Sequence, residues 1–138
     1  VMSDQYRWEL REVLGCPFLR VLAPKGAEKT FLDKFAEKRQ NREVAVYVAK
    51  TLQQVVRDGI ARSLTVGRIK RLKGNIVEVK AQGTVIRCLA YCSTGGLMLV
   101  LLSVERTHQG SGNMHPLIEE AERKAAIVEA LIDEGKEG

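Results

Sequence analysis

Hydrophobic and polar residues alternate most regularly between residues 68 and 106, RIKRLKGNIVEVKAQGTVIRCLAYCSTGGLMLVLLSVER, and this stretch predicts a run of paired strands. Strands are expected over 76–81, 85–92 and 97–106, separated by Gln82-Gly83 and Thr94-Gly95-Gly96, so the connections are short and the strands form an antiparallel meander. Period-2 alternation sorts the side chains by face. Ile86, Cys88, Ala90 and Cys92 make a small apolar surface on which a helix can lie close, and Met98, Val100, Leu102 and Val104 make a uniformly apolar register. The opposite face is expected to stay open and to carry Glu78, Lys80, Arg87, Tyr91, Ser103 and Glu105.

Helical periodicity supplies the cover. Phe31, Leu32 and Phe35 form a stripe within 27–38. Val44, Val48, Leu52 and Val55 form another within 41–58, with Asn41 as its N-cap and Gly59 as its stop. Residues 18–22 read as a short strand, residues 68–73 as an extended edge segment rich in cations, and YRWELREVL near the start fits either an amphipathic helix or a first strand. After a Gly/Ser/Asn-rich loop holding His108, Pro116 begins a last helix whose stripe is Ile118, Ala121, Ala125, Val128 and Ile132; His115 stands at its start. The expected fold class is α+β: one domain over 1–138, a twisted antiparallel sheet with two N-terminal helices packed on one face, and a C-terminal helix.

Composition narrows the function classes. With 138 residues the chain can bury a core without disulfides or metal, and no apolar run approaches the ~20 residues of a membrane span. No signal-peptide pattern opens the sequence, so a cytoplasmic protein with no membrane partner is expected. Cys16, Cys88 and Cys92 have no metal-ligand spacing and read as buried thiols. The net charge of +5 is unevenly spread: between Arg57 and Arg87 eight cations face only Asp58 and Glu78, whereas acidic residues dominate after Pro116. A basic sheet suits phosphate contact. There is no Gly-Lys-Ser/Thr loop, dinucleotide fingerprint, metal-binding cluster or Gly-x-Ser-x-Gly elbow, so neither a cofactor nor a metal is expected.

The segment KRLKGNIVEVK from Lys70 to Lys80, followed by VIRCLAY from Val85 to Tyr91 and by Leu99-Val100-Leu101-Leu102, resembles the phage-derived HigB branch of the RelE superfamily of toxins. The resemblance covers roughly 18–132; it departs from the family pattern at Ser103-Val104-Glu105-Arg106, where the family has His-Gly-Phe, and at Ala90, where an aromatic is usual. It implies a RelE-like fold. It also implies the toxin of a type II toxin–antitoxin system, a ribosome-dependent mRNA endoribonuclease whose partners are the ribosome, mRNA and a cognate antitoxin.

Cleavage of that kind needs a base for the ribose 2′-OH, an acid for the 5′-oxygen and cations for the phosphorane charge. The candidate catalytic residues are Arg87, Lys80, Glu78, Arg106 and His108. The candidate RNA-binding residues are Arg68, Lys70, Arg71, Lys73 and Tyr91, the last as a base-stacking ring. The alternative is a non-catalytic protein of the same fold that binds RNA or a host or cognate protein, a reading favoured by Ser103 in place of the family's His.

Overall fold

A computed structural model describes residues 4–106 and 114–137. Six strands, β1 (Trp8–Val13), β2 (Cys16–Pro24), β3 (Ile69–Lys73), β4 (Ile76–Lys80), β5 (Ile86–Cys92) and β6 (Leu99–Arg106), form one sheet in the order β1-β2-β6-β5-β4-β3. Three helices, α1 (Phe31–Glu37), α2 (Arg42–Asp58) and α3 (Ile60–Thr65), lie between β2 and β3, and α4 (His115–Glu137) follows β6.

The fold is α+β, but two parts of the expected arrangement are corrected. The helices are not N-terminal, because the hairpin β1–β2 precedes them; and the sheet is mixed, because β2 runs parallel to β6 through Leu19↔Leu99, Arg20↔Val100 and Val21↔Leu101. The hairpin forms because Trp8 and Leu10 alternate with Glu9 and Arg11, whose side chains pair at 2.6 Å. Its two-residue turn, Leu14-Gly15, has positive φ at both positions (54° and 65°), as primed hairpin turns require. Leu14 is a costly residue there, since its Cβ crowds the backbone. The helical crossover then lets β6 return alongside β2 in the same direction.

The meander lies where alternation places it, and β3 is its cationic edge strand. On one face Val48, Leu52 and Val55 of α2 pack on Val77, Val79, Cys88 and Ala90, whose small side chains admit the helix closely. Asn41 sits at the N-cap of α2 without making a cap hydrogen bond; its amide instead donates to Phe35 O at 3.0 Å. The side-chain cap in this region belongs to α1, where Thr30 and Asp33 form a reciprocal capping box. Gly59, with φ 86°, ends α2 and turns the chain into α3, which the sequence pattern did not reveal.

The other face is not fully open. Ala121, Ala125, Ile127 and Val128 of α4 cover Leu22, Ile76, Leu89, Tyr91, Val100 and Leu102. Each large apolar side chain so covered contributes about 1.5–3 kcal/mol relative to exposure, which fixes where the helix lies. Strict alternation also fails inside β6: Leu89 pairs with Ser103 and Ala90 with Leu101, leaving Leu102 as an extra residue. This bulge lets Leu99, Leu101 and Val104 all serve the α2 face, while Val100 and Leu102 serve the α4 face.

Candidate nucleic-acid interface

Beyond the end of α4's cover, the sheet presents a cross-strand row of charge. Lys80 at the end of β4 stands directly opposite Arg87 at the start of β5; Arg87 in turn stands opposite Glu105 on β6, and the backbone of Lys80 donates to Arg68 O at 3.0 Å. The hairpin between β4 and β5 is locked by Thr84, whose hydroxyl donates to Ala81 O at 2.7 Å and accepts from Ile86 N at 3.0 Å. Arg87 folds back on this turn, its Nη1 donating to Thr84 O at 3.0 Å and to Ile86 O at 2.9 Å. The guanidinium is thus oriented by backbone carbonyls, although Glu105 lies across from it in register.

These residues line a cleft of about 360 Å³ at this end of the sheet. Its walls bring Arg68, Lys80 and Arg87 together with Thr51 and Gln54 of α2 and Gln82, Gly83 and Thr84 of the hairpin, and no carboxylate lines it. Arg68 is committed elsewhere: its Nη1 reaches Asp58 at 3.1 Å and donates to buried Ser63 Oγ at 3.0 Å, joining α2, α3 and β3. Hydrogen bonds from Arg57, followed by that from Arg68, hold the Asp58 carboxyl down from 3.8 to about 2. The other two cations of the cleft, Lys80 and Arg87, form no ion pair among the described residues.

The remaining candidates divide. Glu78 lies on the same face one rung inward, opposite Lys70 and Leu89, but it is buried. Lys70, Arg71 and Lys73 are exposed on the edge strand β3, and Lys73 extends away to Glu122 of α4 at 3.2 Å. Tyr91 is not a stacking platform: it is 6% exposed beneath α4, and burial, followed by the nearby Glu129, raises its phenol above the ordinary range. Its cleft is a different one, at the far end of the sheet, with Glu129 and Asp133 in its wall. Arg106 pairs with Ile86 in the sheet, which puts it on the opposite face from Arg87, and its guanidinium donates to Asn41 Oδ1 at 3.2 Å. His108 lies outside the described residues.

Sequence reading missed Thr51, Gln54 and Gln82 as parts of this site. Gln54 was hidden in a helix read for its apolar stripe, and only the end of that stripe over the β4–β5 turn brings it to the cations. All three cysteines are buried and free, and burial pushes the Cys88 thiol up to about 12, away from nucleophilic use. Among the described residues no group of His, Cys, Asp and Glu is placed to hold a metal ion, and no helix is long and apolar enough to cross a membrane. The chain matches no protein-family model, no curated protein and no solved structure.

Proposed function

We propose that the chain is a toxin of a type II toxin–antitoxin pair that cleaves mRNA on the ribosome. The observation that carries this reading is the Lys80–Arg87 rung at a cleft without carboxylates, within the segment 70–91 whose motif resembles such toxins. Attack of the ribose 2′-OH on the adjacent phosphorus forms a cyclic phosphate and breaks the bond to the 5′-oxygen. Negative charge grows on the phosphorane oxygens as it does so. Arg87, aimed by Thr84 O and Ile86 O, is placed to stabilise that charge, and Lys80 opposite it is placed to hold the phosphate, while the 2′-OH proton passes to water and the departing 5′-oxygen takes a proton from water. Glu78, one rung inward and buried, is given no role in contact with substrate.

A second reading, binding of RNA or a protein partner without cleavage, is favoured by Arg106, a candidate catalytic residue that turns to Asn41 on the other face, away from Arg87. Primer extension on mRNA from translating ribosomes exposed to the purified protein separates the two. New 5′ ends should arise with the wild type and fall on the order of 100-fold with Arg87→Ala. Inhibited translation with intact mRNA would replace the nuclease reading with the binding one.

A further inference from the structure

The cleft at Lys80 and Arg87 does not end at the sheet. A second depression, of about 160 Å³, adjoins it along α2, lined by Tyr47, Lys50, Thr51, Gln54 and Gln82; it shares the last three with the first cleft. Residues 47, 50 and 54 are three, four and seven apart and therefore lie on one helical face, spanning about 10 Å along the axis. Tyr47 is 45% exposed, as is its neighbour Val46 at 66%, on a helix whose Val48, Leu52 and Val55 face the sheet. The two depressions together offer a cationic end, two carboxamides able to donate and accept, an accessible aromatic ring and a further cation at Lys50, and no carboxylate lines either of them. Cations interleaved with an aromatic face and neutral hydrogen-bonding side chains suit an unpaired polynucleotide, whose phosphates and bases alternate.

We infer that single-stranded RNA continues from the Lys80–Arg87 cleft along α2, with Tyr47 stacking on a base and Gln54 and Gln82 contacting base edges. This rests on the RNA-directed reading above and assigns to Tyr47 the stacking role that buried Tyr91 cannot fill. The same arrangement favours an unpaired strand over a duplex, whose bases are already stacked and cannot reach Tyr47.

The test is fluorescence anisotropy of the full chain with a short labelled mixed-sequence RNA, unpaired or annealed to its complement, over a range of salt. Tyr47→Ala should weaken binding of the unpaired RNA about tenfold or more without changing its salt dependence, because stacking releases no counterions. Tyr47→Phe should bind as the wild type does. Lys80→Gln should lower the salt slope by roughly 0.7. Unchanged affinity in Tyr47→Ala, or equal binding of the duplex, would overturn the α2 path while leaving the Lys80–Arg87 reading intact if Lys80→Gln still weakens binding. An isolated chain that binds no RNA would also overturn it, and primer extension on ribosomes would then judge the proposed function separately.

Discussion

Against β4 and β5, α2 seats Val48, Leu52 and Val55 in a layer that α1 and α3 extend, whereas the opposite face has α4 alone, laid over Ile76, Leu89 and Leu102. No α4 residue lines the cleft at Lys80 and Arg87. The difference follows from the composition of each face. The α2 face is apolar from Ile86 to Cys92, so a helix can cover its length; the α4 face is apolar only toward Ile76 and Tyr91 and charged toward Lys80 and Arg87. Extending the cover would strip water from those cations, at a cost of several kcal/mol each without buried partners. Among the described residues, a sheet face with a polarity gradient is therefore covered by helix only at its apolar end.

The largest expected effect breaks the first face. Val55 is fully buried, and Val55→Asp should abolish cooperative unfolding, since an unpaired carboxylate there costs more than a domain of this size can lose. Val128 is equally buried beneath α4, but Val128→Asp should release mainly that helix. The single tryptophan, Trp8, packs in the α4 cluster, so its emission should shift to the red in Val128→Asp while amide exchange in α2 stays slow. Equal loss of protection in both helices would mean that the two faces fold as one unit.

A smaller effect concerns the ties beside the cleft. The depressed Asp58 carboxyl makes the folded state bind a proton less readily than the unfolded chain, so its stabilisation is present above the ordinary 3.8 and is lost as pH falls through about 2. In acid denaturation followed by circular dichroism, Asp58→Asn should be less stable than the wild type at neutral pH and should lose less between those two values. The smallest change should come from Lys73→Gln. Its pair with Glu122 is 60% and 43% exposed, so chemical denaturation should move by no more than about 1 kcal/mol.

Much of this was legible in the sequence. The strands around Glu78, Leu89 and Val100 announced themselves by alternation and Gly turns, and Val48, Leu52 and Val55 by helical spacing. Burial of Cys88 and Ala90 under α2 follows from their small size in that register. Three features were not legible. Alternation cannot foresee the bulge at Leu102, because one extra residue reverses the faces beyond it. The stripe of α4 showed that the helix needed a partner without showing which face would take it, and so Tyr91 and Glu78 read as open when they are buried. Nor does any local signal in Phe18 or Leu19 say that β2 pairs in parallel with a strand so far along the chain. For the site, Arg87 and Lys80 were brought together by hairpin register alone, whereas Gln54 required the tertiary placement of α2.

The parallel pairing of β2 with β6 also bears on how the chain is made. Leu19 must wait for Leu99, 80 residues later, before that side of β2 finds its neighbour. At ordinary rates of synthesis this is roughly 4–16 s. During that interval the emerging hairpin presents an unpaired edge containing Leu19, Val21 and Leu22, all buried in the finished protein. The nascent chain, rather than the folded one, is therefore where a β-edge-binding chaperone has its opportunity, and release of β6 from the ribosome closes it.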